Sequence, residues 1–238
     1  MNSVIDFHSH ILCGVDHGTG SRKESKAQIE MMSRAGTSLA VATSHFYPER
    51  HTVDSFRQAV RTAQEKLATV TFDCAPVELC IGAEVLVCHG LESIDGLDRL
   101  CIRGTNILLL EMPTAQNWQH GAMGAVERII DMGYTAVLAH IDRYIGKHER
   151  DIDELLSLGA LAQINASAIS SFFLKRKMLS YIDGGYVCAL GSDLHGTDPK
   201  AYKDFSALRS KLGDERFSGI MQKSARLLEN AERFSVNT

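Results

Sequence analysis

Seven short, mostly apolar runs punctuate this chain, at residues 4–8, 38–44, 78–85, 107–112, 136–140, 161–165 and 187–192. Between them lie longer segments in which apolar residues recur at steps of three and four. Residues 53–69 place Val53, Phe56, Val60, Ala63 and Leu67 on one helical face. Strands that alternate with helices pair in parallel beneath a helical cover. Strands buried on both faces read as unbroken apolar runs. The pattern therefore predicts an α/β protein, either a closed or distorted barrel or an open doubly wound sheet. Helices are expected over 22–36, 53–69, 121–132, 151–158, 169–183, 201–212 and 215–231, with Pro48, Pro76, Pro113 and Pro199 in the loops. No linker or repeat interrupts the alternation, so one domain over 1–238 is expected. Whether the stripes on 22–36 and 53–69 face the core or a second copy of the chain is left open, so a homo-oligomer is one expectation.

Six of the seven runs end in a residue able to bind a metal ion. The first gives His8 and His10, with His17 shortly after. SLAVATSH ends at His45, ELCIGAE at Glu84, ILLLE at Glu111 and AVLAH at His140. VCALGSDLH closes with Asp193 and His195, while LAQIN ends at Asn165, a weak ligand at best. In a parallel α/β fold all strand carboxyl ends lie on one face, so these groups converge in space. His8 and His10 share a side by strand alternation, and Asp193 and His195 are expected to do the same. A lone strand-end histidine is more often a satisfied core residue. Repetition over six strands, and a carboxylate after LLL in Glu111, argue for a shared centre, because an unpaired buried carboxylate is costly. His51, His89, His120 and His148 lack strand-end placement and are read as ordinary loop or helix-start residues.

Imidazole with carboxylate, and without thiolate, suits Zn, Mn or Fe. Nine donors exceed the needs of one ion, so two or three divalent ions are expected, with Glu84 as the natural bridge. Such a cluster activates water near neutral pH and stabilises charge on both oxygens of a phosphate-ester displacement. The net charge of −4 and pI near 6.2 argue against nucleic-acid or membrane-surface partners. The chain shows no signal-peptide layout and no apolar run near the roughly 20 residues of a membrane span. Its six scattered cysteines form no CxxC pair, and all point to a reduced, cytoplasmic protein.

Read together, DFHSHILCGVDHGTGSRKES (6–25), ATSHFYP (42–48), GAEV (82–85), LLLEMP (108–113), LAHIDRY (138–144) and LGSDLH (190–195) resemble the polymerase-and-histidinol-phosphatase (PHP) superfamily. More narrowly, the chain resembles bacterial PHP-type protein tyrosine phosphatases linked to capsular and exopolysaccharide synthesis, over nearly its whole length. The resemblance implies a distorted barrel of seven parallel strands with a trinuclear, usually manganese-activated centre at the strand carboxyl ends. It implies one ion held by His8, His10, Glu84 and Asp193, a second by Glu84, Glu111 and His140, and a third by His17, His45 and His195. Family members often read DDG where this chain has Asp16-His17-Gly18, so Asp16 is the fallback for His17. Arg143 matches an arginine beside the metals that grips phosphate. Lys200 is the nearest counterpart of a second family arginine and lacks its planar fork.

The implied function is hydrolysis of phosphotyrosine on a bacterial tyrosine kinase that regulates polysaccharide export. The Cys-x5-Arg signature of cysteine phosphatases does not occur. Alternatives are a phosphoesterase acting on a small molecule such as histidinol phosphate, a weakly active kinase-binding regulator, and an amidohydrolase.

Overall fold

The computed structural model describes residues 3–114, 117–119 and 121–235, so His120 lies outside the described residues. All seven expected strands form: β1 (Ile5–Ser9), β2 (Leu39–Phe46), β3 (Glu78–Leu86), β4 (Ile107–Glu111), β5 (Thr135–Leu138), β6 (Leu161–Asn165) and β7 (Val187–Gly191). They pair in parallel, in sequence order. Beyond the strands, Leu194 bridges Ser9 in parallel. The Asp193 amide donates to the His8 carbonyl at 2.8 Å, and the His10 amide to the Leu194 carbonyl at 3.1 Å. The two edges thus meet at their carboxyl ends, and the sheet curls into a nearly closed, distorted barrel. Of the two architectures open at the sequence level, the barrel is the one formed.

The helices are α1 (Arg22–Arg34), α2 (Val53–Ala68), α3 (Ala122–Asp131), α4 (Glu149–Ser157), α5 (Ala166–Ser170), α6 (Phe172–Asp183), α7 (Pro199–Ser206), α8 (Leu208–Leu212) and α9 (Asp214–Leu227). Ile29 and Met32 of α1, and Phe56, Val60, Ala63 and Leu67 of α2, are buried in the core. The stripes considered for self-association are therefore core faces. No described helix is long and apolar enough to cross a membrane.

Four expectations need correction. The helix expected over 169–183 is two, because Ser171 leaves the helical conformation and caps α6 through the Leu174 amide. The helix expected over 201–212 breaks at Ala207 into α7 and α8. Pro199 lies at the start of α7 behind the Asp198 cap, where a missing amide hydrogen is harmless. A short strand β8 (Phe234–Ser235), unforeseen in the sequence, pairs antiparallel with the start of β3.

Candidate metal centre

His8 of β1 and His10 just past its end enter the barrel mouth with Nε2 atoms 3.2 Å apart. Both are fully buried, so backbone must pack against them closely. A Cβ on Gly191 would stand 2.6 Å from His8 Cβ, and one on Gly18 only 2.2 Å from His10 Cβ. Glycine at these two positions is what lets the neighbouring chain close over the imidazoles.

Glu84 is the hub. Its Oε2 stands 3.2 Å from His8 Nε2, 3.3 Å from His10 Nε2 and 2.9 Å from His45 Nδ1. Its Oε1 stands 2.7 Å from His140 Nε2. Parallel register sets His45 of β2 beside Glu84 of β3. His140 arrives differently from expectation. β5 ends at Leu138, and His140 takes a left-handed conformation, φ 31°, before a 3₁₀ turn at Ile141–Tyr144. Asp193 likewise lies past the end of β7 with φ 52°. Strand alternation therefore does not aim Asp193 and His195; a kinked loop does. Asp193 Oδ1 reaches 3.4 Å from His10 Nε2, and the His195 ring stacks on that of His10 at 4.0 Å. Left-handed backbone at a non-glycine residue is strained and clusters at functional sites.

Three donor trios have ligand atoms within 4.8 Å of one another: His8, His10 and Glu84; His45, Glu84 and Glu111; His10, His45 and His195. These differ in part from the sets implied by resemblance. His45, with Nδ1 3.6 Å from Glu111 Oε2, joins Glu84 and Glu111. His10 closes the trio of His45 and His195, while exposed His17 borders it, its ring stacked on His45 at 4.7 Å. Asp16, the fallback for His17, is turned to other work: its Oδ2 accepts from His10 Nδ1 and from the His45 amide, both at 2.8 Å.

Burial opposes charge throughout the cluster, yet its members ionise one another. Glu84 is held well below the usual carboxylate range by His8, His10, His140 and His45. Burial lowers His45, but Glu111 and Glu84 outweigh it and raise the imidazole to about 9. Burial and the charge on His10 push His195 down to about 4. Glu84 Oε2, His45 Nδ1, Asp193 Oδ1 and His195 Nε2 are buried without a well-aligned hydrogen-bond partner. Orphaned, converging donors of this kind fit divalent cations, since buried polar atoms are otherwise paired.

Arg143, half exposed, closes one side of the mouth. Its guanidinium pairs with Asp193 and stands 3.3 Å from His140 Nε2. Arg143, Asp193 and Lys200 line a cleft of about 210 Å³ together with Ser167 of α5. On the opposite side the Tyr47 ring stacks on His45 at 5.2 Å. Burial and the charges of Glu111, Glu84 and Asp16 push the Tyr47 phenol up to about 12. Of the histidines set aside, His148 is buried, stacked on Trp118 at 4.2 Å and paired with Asp151 at 2.9 Å.

Sequence reasoning missed the groups that aim the donors. Gln163 of β6 has Oε1 3.0 Å from His8 Nδ1, and the same oxygen accepts the His140 amide at 2.7 Å. Its Nε2 donates at 3.0 Å to Asn165 Oδ1, and Asn165 Nδ2 donates at 2.8 Å to Asp193 Oδ2. One signal was available: Gln163 is a polar residue in the middle of LAQIN, between Ala162 and Ile164. Buried Asp6 accepts from the Ser192 amide and from the Tyr202 hydroxyl, each at 2.9 Å, and so fixes the loop carrying Asp193. The Tyr144 hydroxyl donates to the Met112 carbonyl at 2.9 Å and accepts its amide at 3.1 Å, clamping the residue after Glu111.

Donors from six strand ends around one carboxylate define an α/β barrel with a candidate multinuclear metal centre. The chain belongs to the capsular polysaccharide synthesis CpsB/CapC family, whose sequence model matches residues 4–229. It is 26% identical to the tyrosine-protein phosphatase CpsB of Streptococcus pneumoniae over 235 residues, covering 90% of this chain and 93% of that one. It is 25% identical to the tyrosine-protein phosphatase CpsB of Streptococcus agalactiae serotype V over 254 residues, covering 98% and 99%. Among solved structures it resembles the metal-dependent tyrosine phosphatases YwqE of Bacillus subtilis and CpsB of S. pneumoniae, with TM-score 0.77, 23% identity and coverage of 98% and 97%. The fold is also similar to that of histidinol phosphate phosphatase from Lactococcus lactis, with TM-score 0.54, 14% identity and coverage of 89% and 94%.

Proposed function

We propose that this chain is a metal-dependent protein tyrosine phosphatase of a single domain. Its substrate is a phosphotyrosine-bearing segment of a bacterial tyrosine kinase that governs capsular or exopolysaccharide synthesis, and it works in the cytoplasm. The observation that carries this reading is the Glu84 hub, with Arg143 at the rim of the same mouth. The tyrosine-protein phosphatases among its relatives support it.

His8, His10, His45, Glu84, Glu111, His140, Asp193 and His195 would hold two or three divalent ions, with His17 at the border. Nitrogen and oxygen donors without thiolate suit Mn, Fe or Zn, and the resemblance to manganese-activated phosphatases makes Mn the first choice. When bound, such ions supply Lewis acidity to the phosphoryl oxygens and activate water. The chain's own residues do the rest. Asp16 and Gln163 keep the Nε2 faces of His10 and His8 turned inward. Arg143 offers a planar fork to phosphoryl oxygens and can leave Asp193 for them as charge builds on the equatorial oxygens. Lys200 adds a point charge to the same cleft. A thiol nucleophile is disfavoured: burial raises Cys80 and Cys88, and lifts Cys101 and Cys188 to about 12.

Steady-state turnover of a phosphotyrosine peptide against histidinol phosphate, each with added manganese, tests the assignment. Preference for the peptide supports it. Preference for histidinol phosphate selects the small-molecule phosphoesterase, and metal binding without turnover of either selects the kinase-binding regulator.

A further inference from the structure

A second cleft opens on the other side of the centre from Arg143. Its walls follow directly on three donor-bearing strands: Tyr47 and Pro48 after β2, Leu86 and Val87 at the end of β3, and Pro113 after β4. Its volume is about 330 Å³, near the lower end of the roughly 300–1,000 Å³ typical of small-molecule sites. That is room for one ring-bearing side chain and little more. Flat or apolar groups form one part of the walls, and Glu49 and Arg50 add charge. Val87 and Pro113 are buried, Leu86 is partly covered, and the Tyr47 ring runs on from the His45 imidazole at 5.2 Å. The Arg50 guanidinium lies over the Tyr47 ring, 5.3 Å from its centre.

Two clefts of different lining therefore flank one centre. The cleft of Arg143 and Lys200 is polar, sets those two cations among Asp193, Asp198 and Asp204, and rises from the loops after β5, β6 and β7. The cleft of Tyr47, Leu86 and Pro113 is the one with an aromatic and aliphatic wall, although Glu49 and Arg50 also line it, and it rises from β2, β3 and β4. A phosphate monoester likewise has two parts, a dianionic head and an ester substituent. With the head at the donors beside Arg143, the substituent leaves on the side of Tyr47. An aryl ring gains there from stacking and burial, whereas a short alkyl chain of a seryl or threonyl ester covers much less of the wall.

We propose that the Tyr47–Leu86–Pro113 cleft seats the aromatic ring of the leaving group and so sets the preference of this enzyme for aryl over alkyl phosphate monoesters. The inference rests on the phosphatase reading and names the specificity element within it.

The test compares phenyl phosphate with ethyl phosphate in wild type, Leu86→Trp, which fills the cleft, and Tyr47→Leu, which removes its flat wall. Each variant's kcat/KM is divided by the wild-type value for the same substrate, so the different intrinsic reactivities of the two esters cancel. Inhibition by inorganic phosphate and by phenylphosphonate is measured alongside. We expect kcat/KM for phenyl phosphate to fall about tenfold or more, mainly through KM, the range associated with lost apolar pocket contacts. Ethyl phosphate turnover and inhibition by inorganic phosphate should stay within about twofold of wild type, while phenylphosphonate weakens in step with phenyl phosphate. Equal losses for the two esters, or no loss for either, in both variants would overturn the proposal while leaving the phosphatase reading intact. A wild-type protein that hydrolyses neither ester nor a phosphotyrosine peptide and ignores inorganic phosphate would remove the phosphatase reading itself.

Discussion

Asp16 Oδ2 stands 2.8 Å from His10 Nδ1, on the side of the imidazole that faces away from the donor cluster. Burial penalises this carboxylate, but His10 and the amides of Gly18 and His45 hold it below the usual range. It is therefore an anion at neutral pH that fixes which His10 nitrogen carries the proton. Gln163 does the same for His8 through Nδ1 at 3.0 Å. Such partners commonly contribute 10–100-fold to metal affinity. Asp16→Asn and Gln163→Leu should each weaken metal binding by roughly that factor, with little change in the secondary structure. Calorimetric titration with manganese, with circular dichroism as the folding control, checks this. Unchanged affinity in both variants would leave these residues as mere packing.

Arg143 and Lys200 should separate in their effects. Arg143→Ala removes a preorganised donor to developing charge and should lower kcat/KM on a phosphotyrosine peptide roughly 10²-fold. Metal content should stay level, because Arg143 is not a donor to the cluster. Lys200→Ala should lose less, and Lys200→Arg should match or exceed wild type by restoring the planar fork. Peptide kinetics with metal analysis on the same samples is the measurement. An Arg143→Ala enzyme at wild-type efficiency would take the guanidinium out of the reaction.

Protons and metal compete for His45. Burial lowers this imidazole, but Glu111 and Glu84 raise it in the metal-free protein to about 9. Its raised folded value stabilises the metal-free fold fully below the ordinary histidine range, and that contribution disappears as pH climbs through about 9. A metal needs the neutral ring, so binding below that value releases a proton. Manganese affinity should therefore rise from pH 6 toward pH 9. Binding enthalpies in buffers of different ionisation heat should report net proton release, and an affinity flat across that range would contradict the arrangement.

The seven strands were legible because strands buried on both faces read as mostly apolar runs, with few interior polar residues such as Asp6 and Gln163, and their ends carried His8, His45, Glu84 and Glu111 in plain view. The geometry of the other ends was not. His140 and Asp193 owe their positions to left-handed backbone that no glycine or asparagine advertises. Asp16 sits where a ligand was expected one residue away, and only its distance to His10 reveals its role. The break at Ala207 has no local signal, since alanine favours helix and tertiary packing overrides it. Ser171, by contrast, is a capping residue that could have marked the start of α6.

The central claim is that a metal cluster gathered by Glu84 performs phosphotyrosine hydrolysis. Its most direct measurement is turnover of a phosphotyrosine peptide by wild type and Glu84→Ala, each stripped with EDTA and then given manganese, with bound metal counted. Wild type should fall silent on chelation and recover with manganese, while Glu84→Ala should bind less metal and remain nearly inactive. Hydrolysis that survives chelation, or a Glu84→Ala protein with full metal and full turnover, would contradict the account.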